Sequence, residues 1–551
     1  MAFRDSVRDY FNTRDRGWVL SLFAVACIVY FPFLGSPFIF DDQSYFSTGA
    51  RDYYTHSVFQ FDLRWFPSAT IGYTYALFSD QDTHIYHLQN ALLHAGNVVL
   101  LFYLLRQLID AVTDEYAPAV IARASWFGAL LFAVHPVAVY AVGYMIQRSI
   151  LMATLFALLM QLAYLRGLLT GQRRWFALSV LAYFVACFSK EHSVLLPAVV
   201  GAMHLLLSTE RRASRPALWI TWIAYFAIAV LVTLRAKGVL GSVYEPMAEG
   251  MFEQQNIIAS VPMLHLLSAL TQAGLFFKYL GLWLLPNVAW MSVDMREPFV
   301  ASWADWHGWL GLLAFLAYGA VAIWLLLKRG GKGLAGFALL CPWLLFWVEL
   351  TGIRMQEPFV LYRSYLWLSG LMLCIPLLLL RFPGRKPLLV MGCIVLLLLP
   401  LAWNRLWVFS DNYRLWAEAA SLLPNDKVAG ADRIYYNRAH FAAQNRKWEQ
   451  AIPDYEFVIK AHPGLAIVHN DLGVSYLNTK RNEEALAQFE LAIGLYPEFA
   501  KGYFNKGLAL KFMGRDKEAL EQMAKSCELK DVSACMIAAM SKSPERKQSQ
   551  H

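Results

Sequence analysis

GWVLSLFAVACIVYFPFLGSPFIFDD, Gly17–Asp42, is a run of 24 uncharged residues that ends in two adjacent carboxylates. About 20 apolar residues are enough for a helix to cross a bilayer. The run has that length, and no small-residue cleavage pattern follows it, so it reads as a retained span rather than a removed signal. Comparable segments recur at 88–108, 124–141, 146–165, 175–189, 193–209, 216–234, 263–285, 306–327, 334–352, 364–380 and 387–404. The fold class they indicate is all-α, a polytopic membrane helical bundle.

The whole chain agrees. Of 551 residues 58% are hydrophobic and 16% charged, against about 25% charged in soluble domains. The net charge of +8 is uneven: residues 1–405 hold 29 Lys/Arg and 22 Asp/Glu, and the remainder 19 and 18. A basic excess confined to the apolar part is an orientation signal and gives no reason to expect nucleic acid as a partner.

Basic clusters mark the cytoplasmic side: Arg4/Arg8/Arg14/Arg16, Arg166/Arg173/Arg174, Arg211/Arg212/Arg215, Lys328/Arg329/Lys332 and Arg381/Arg385/Lys386. Keeping all of them on one side requires 263–285, which contains Lys278, to be re-entrant or interfacial. About eleven crossings remain, with the C-terminal domain outside. Asp41, Asp42, His135, Arg148, Lys190, Glu191, Asp294, Glu357 and Arg363 then share the outer face. Ionisable groups at membrane depth are costly and point to function.

Beyond residue 405 a 34-residue period takes over. Tyr435, His469 and Tyr503 share one position, and Ala439, Gly473 and Gly507 a small one. Ala451, Ala485 and Ala519, then Tyr455, Phe489 and Met523, repeat on the following helix. This is the tetratricopeptide (TPR) pattern, about three repeats in an α-solenoid that presents a concave face to extended peptide. The expected division is a membrane domain over 1–405, a half-repeat cap and connector over 406–431, TPRs over 432–540 and a tail over 541–551. Cys527 and Cys535, eight apart across a helix–helix turn, fit either a disulfide or two buried thiols.

The chemistry-bearing residues follow from the charges. Asp41 and Asp42 are candidate bases, since a carboxylate beside apolar surface can be tuned to take a hydroxyl proton. Helix geometry separates them by about 100°, so one of the two would face an acceptor. His87, Asn90 and His94 share a helical face, with interhelical hydrogen bonding as the plainer reading, favoured for His94. No acidic residue at ligand spacing suggests a zinc site. His135 with Pro136 ends one apolar run, and Arg148 begins the next. Lys190 and Glu191 fill a short turn. Arg354, Glu357, Tyr362 and Arg363 open a later run. Arg and Lys converging from separate runs suit a lipid-linked phosphate.

FDDQSYF, RWFPSATIGYTYALF (opened by Arg64), HLQNALLH, LFAVHPVAVYAVGYMIQRS, FSKEHSVLLP and YRSYL, followed by TPRs, make the chain resemble the transmembrane-and-TPR O-mannosyltransferases and their bacterial relatives. These belong to the C-superfamily of glycosyltransferases (GT-C fold). The resemblance implies inverting transfer of a sugar from a polyprenyl-phosphate donor to an acceptor hydroxyl, with Ser or Thr of a protein as the expected acceptor. It places catalysis at Asp41 and Asp42. Donor or acceptor binding falls to Arg64, His87, His135, Arg148, Lys190, Glu191, Tyr362 and Arg363. No cofactor is required, no metal-binding residue is assigned, and a divalent cation is permitted. Ala138 and Tyr140 depart from the animal members, which have a His and an acidic residue there, so sugar and acceptor stay open.

The expected location is a bacterial inner membrane with the TPRs periplasmic, or an endoplasmic-reticulum membrane with them lumenal. The expected partners are the lipid-linked donor, membrane lipid and a protein or peptide acceptor at the TPR groove. Two other classes use the same features: a lipid-linked sugar transporter or flippase, and a TPR scaffold for envelope assembly.

Overall fold

The computed structural model describes residues 15–47, 62–78, 82–207, 213–236, 251–252, 257 and 259–542. Arg4, Arg8, Arg14, Arg211 and Arg212, the aromatic residues Tyr53, Tyr54, Phe59 and Phe61, and the tail from 543 lie outside the described residues. Among the described residues the chain is helical, with one isolated antiparallel bridge between Met295 and Phe359. It divides into two units, Met1–Asp411 and Asn412–His551.

In the first unit seven described helices are long and apolar enough to cross a membrane: Arg16–Phe33, Thr83–Val112, Met145–Thr170, Arg215–Arg235, Trp306–Leu327, Gly330–Leu350 and Arg385–Phe409. Two bent pairs raise the number to nine. The remaining expected crossings fall on shorter pieces. Arg173–Ser189 has 17 residues, and Glu191–Leu206 is a short apolar helix. Val261–Leu284, the segment expected to be re-entrant or interfacial, is one continuous helix of 24 residues, so it does not turn back on itself.

The helices sort into a centre and a jacket. Of the apolar windows, 78% is buried in Met145–Thr170 and 67% in Thr83–Val112, against 22% in Arg16–Phe33, Trp306–Leu327 and Arg385–Phe409. The jacket helices turn large apolar side chains outward, among them Leu313, Trp324, Leu389 and Leu397. Gly336 lies so close to the backbone of Leu326 that any Cβ would collide with it, which lets the largely buried helix Gly330–Leu350 approach the jacket helix Trp306–Leu327 backbone to backbone.

The first bend has a cause in the sequence. Pro136 disfavours helical conformation at His135, which is extended (φ −71°, ψ 129°), and the chain turns by 50° there. The second bend, of 47°, falls at Ser369–Gly370. A Cβ on Gly370 would stand 2.5 Å from that of Cys341.

The second unit is a stack of helix pairs: Ala431–Gln444 with Trp448–Ala461, Ala466–Asn478 with Asn482–Leu495, and Ala500–Phe512 with Asp516–Glu528. Asn412–Ser421 precedes them as the half-repeat and packs on Ala431–Gln444. The small and large positions fit together. A Cβ on Gly473 would stand 2.6 Å from the Phe489 ring, and one on Gly507 would stand 2.9 Å from Met523. The turn inside each pair holds a left-handed residue at the repeat period: Arg446 (φ 58°), Lys480 (φ 64°) and Gly514 (φ 76°). Cys527 and Cys535 form a disulfide between the last pair and helix Val532–Lys542.

Candidate functional site

The two acidic residues after the first apolar helix are used differently. The short helix Asp41–Ser47 starts after Phe40, whose φ of 48° is left-handed. Asp42 is fully buried. Its Oδ2 accepts from the N–H groups of Ile39 and Met145, both at 3.2 Å. Its Oδ1 accepts from Ile146 N–H at 2.8 Å. Met145 and Ile146 open a 3-10 turn, Met145–Gln147, whose leading N–H groups have no partner within the turn. Asp42 is therefore the cap of a turn far along the chain. Burial pushes its carboxyl up to about 8, while the three N–H bonds pull it down. Asp41 is exposed, and its own N–H donates to Tyr144 Oη at 3.0 Å. The geometry separates the pair: Asp42 has its oxygens on backbone N–H groups, and Asp41 is exposed.

Tyr144 leads to a second group. Its ring lies 6.2 Å from that of Tyr362, and Lys190 Nζ stands 5.2 Å over the Tyr362 ring. Lys190 is buried. Its hydrogen-bond partners are neutral, Gln147 Oε1 at 3.5 Å and Ser149 Oγ at 3.4 Å, and among the described residues it forms no ion pair. Burial, with Arg64 and Arg363 nearby, lowers its pKa to about 7, against the pull of Glu191 and Glu357. Beside it Arg64, in left-handed backbone (φ 65°), grips Glu191 with two donors, one of them Nε at 3.0 Å.

The chain of charges continues through His192 and Glu349, which the sequence reading passed over, to Arg354, Arg363 and Glu357, which it named. His192 Nδ1 is 3.7 Å from Glu191, and its Nε2 is 2.8 Å from Glu349. Glu349 also pairs with Arg354 at 3.3 Å and Arg363 at 3.2 Å. Arg363 reaches Glu357 at 3.4 Å. Glu349 is buried in the last turn of Gly330–Leu350. A lone carboxylate inside the apolar run 334–352 was the available signal, since such a group is costly unless paired.

The other expected site residues lie in packing roles. The buried Arg148 donates from Nε to Asn90 Oδ1 at 3.1 Å, and its two terminal nitrogens donate to Thr70 Oγ1 and the Tyr86 carbonyl, each at 3.3 Å. It ties three helices together, and its guanidinium is engaged there. His87 bonds the Ser36 carbonyl at 3.1 Å. His135 stacks on Trp283 at 4.4 Å and bonds the Trp283 carbonyl. His94 lies between Tyr365 Oη and the Ala133 carbonyl. The structure thus brings together Arg64, Lys190, Glu191, Tyr362 and Arg363, with Asp41 joined through Tyr144. Among the described residues no three His, Cys, Asp or Glu side chains gather as a metal site.

In the second unit the first helices carry polar groups at matching positions. Tyr436 donates to Asp471 Oδ2 at 3.3 Å, and Asn505 donates to Asn470 Oδ1 at 2.8 Å. Arg438 holds Asp454 through two bonds of 2.6 Å.

Comparison with known proteins bears on the second unit. The tetratricopeptide repeat family model matches residues 466–499 and 500–532. The Sgt2 TPR domain from Aspergillus fumigatus is similar at 19% identity and a TM-score of 0.20, covering 22% of this chain and 82% of that one. MamA (AMB-1) is similar at 27% identity and a TM-score of 0.21, covering 24% of this chain and 77% of that one. No curated protein matches the chain. Residues 466–532 are thus tetratricopeptide repeats, and the helix pair before them completes a third unit of the same build.

Proposed function

We propose that the first unit is a membrane-embedded glycosyltransferase, moving a sugar from a polyprenyl phosphate to an acceptor hydroxyl, with the TPRs presenting a protein acceptor. The observation that carries this reading is that an exposed carboxylate residue, Asp41, bonded to Tyr144 through its backbone N–H, and a buried cation, Lys190, over the Tyr362 ring, are linked through the Tyr144–Tyr362 contact. The apolar jacket supports a lipid surround, because outward Leu and Trp side chains along whole helices are favoured there and costly in water. TPR domains generally bind protein, which fits a Ser or Thr acceptor. The reading places the reaction on the outer, periplasmic face of a bacterial inner membrane.

In this mechanism Asp41 takes the proton of the acceptor hydroxyl. The oxygen forms a bond to the anomeric carbon as the bond from that carbon to the phosphate oxygen breaks, inverting the centre. The electron pair leaves with the polyprenyl phosphate, and Lys190 offsets the charge that develops there. Arg64 and Glu191 border the lysine, and Arg363 belongs to the ion network behind it. No step requires a cofactor.

The test is release of lipid phosphate by purified protein, given polyprenyl-phosphate sugars and Ser/Thr peptides. Turnover by the wild type that is lost in Asp41→Asn supports the reading. Movement of the intact donor across liposomes without release would replace it with transport.

A further inference from the structure

Lys190 and Tyr362 come from segments 172 residues apart, and each is flanked by members of one ion network. Lys190 is followed by Glu191 and His192, and Tyr362 by Arg363. His192 and Arg363 meet on a single carboxylate, Glu349, at 2.8 and 3.2 Å through different oxygens. Arg354 shares the second oxygen at 3.3 Å. All four side chains are buried. Glu349 thus ties the turn carrying the lysine to the turn carrying the tyrosine, and it touches neither residue itself.

We propose that Glu349 is a positioning residue that holds Lys190 over the Tyr362 ring and so forms the phosphate subsite. The inference rests on the reading of Lys190 as the phosphate contact. Two features of the arrangement favour positioning over simple charge burial. A hydrophobic side chain would fill the same space without the cost of three buried partners. The carboxylate also sets one oxygen against each of the two turns: Oε2 accepts from Arg363 at 3.2 Å, and Oε1 lies in ion-pair contact with His192 Nε2 at 2.8 Å. With Glu349→Gln, the Oε1 and Oε2 positions become chemically unequal. The charge that holds His192, Arg354 and Arg363 on one centre is then gone, and Lys190 is free to leave the ring.

The test is binding of a short-chain polyprenyl monophosphate in detergent to wild type, Glu349→Gln, Lys190→Ala and the double variant. Each single substitution is expected to weaken binding about tenfold or more, the worth of a charge-assisted contact. The double variant is expected to lie within about twofold of Lys190→Ala, since coupled residues are non-additive. The acceptor KM should stay at its wild-type value in Glu349→Gln. Multiplying losses in the double variant, or a shifted acceptor KM, would mark a general structural role and overturn the proposal. If Glu349→Gln does not fold, His192→Asn cuts only the lysine side of the hub and carries the same expectation. Wild type that fails to bind the lipid phosphate sinks the donor reading itself. Wild type that binds while both hub variants bind equally well sinks the positioning role alone.

Discussion

Asp42 Oδ1 accepts the Ile146 N–H at 2.8 Å, so the residue beside the candidate base fastens a turn 104 positions away. Neighbours in sequence therefore give opposite phenotypes. Asp42→Ala leaves three N–H groups without their acceptor and should lower the stability of the first unit by about 3 kcal/mol or more. Asp41→Asn should leave melting in detergent unchanged and reduce turnover by about 10²–10⁴-fold. Thermal unfolding and lipid-phosphate release, measured on both variants, check the pair.

Lys190 gives the pH dependence. Its folded pKa of about 7 lies below the ordinary lysine value, so between the two the unfolded chain binds more protons than the folded one. Its contribution to stability is full above the unfolded pKa and is lost as pH falls through about 7. Ligand binding runs the other way, because only the charged amine attracts phosphate. Affinity for a polyprenyl monophosphate should fall as pH rises through about 7 in the wild type, and this step should be missing in Lys190→Ala.

The TPR packing is tight at Gly473. A methyl there would stand 2.6 Å from Cε1 of Phe489. Gly473→Ala should destabilise the second unit by about 1–3 kcal/mol through overpacking. Adding Phe489→Leu should recover part of the loss, and chemical denaturation of the three variants would show it.

Lys480 adopts φ 64°, where a side chain costs roughly 1–2 kcal/mol and glycine does not. Glycine gives some of this back through its extra freedom in the unfolded chain. Lys480→Gly should raise TPR stability by about 0.5–1 kcal/mol, as read from its denaturation midpoint. Gly514 already occupies the equivalent turn one repeat later.

Over the described residues each apolar run in the sequence became helical, two of them as bent pairs, because burial of side chains and closure of backbone hydrogen bonds demand it locally. His135–Pro136 marked a helix end in the sequence, and it is one. The 34-residue period was equally readable, since Ala439, Gly473 and Gly507 recur in one register. The candidate site was legible as a set of residue types and much less as a geometry. Arg148 and Lys190 look alike in sequence, as single cations beside apolar runs. Only the fold shows that Arg148 spends its donors on Asn90, Thr70 and Tyr86 while Lys190 meets two neutral oxygens. Glu349 stood out as a lone carboxylate in an apolar run, but the network it joins did not, since His192 lies 157 positions before it and Arg363 14 after it. No local pattern joins His192 to Arg363.

The left-handed turns at Arg446, Lys480 and Gly514 carry a consequence for how the array can change length. Each sits at the same point of its helix pair, so the stretch from one to the next is an interchangeable cassette. Excising residues 447–480 would join Arg446 to Arg481 and set the helix bearing Ala439 before the one bearing Phe489. The small-against-large order of the stack is kept across that splice. Such a chain gains or loses reach in whole units, and the helix pairs on either side keep their partners.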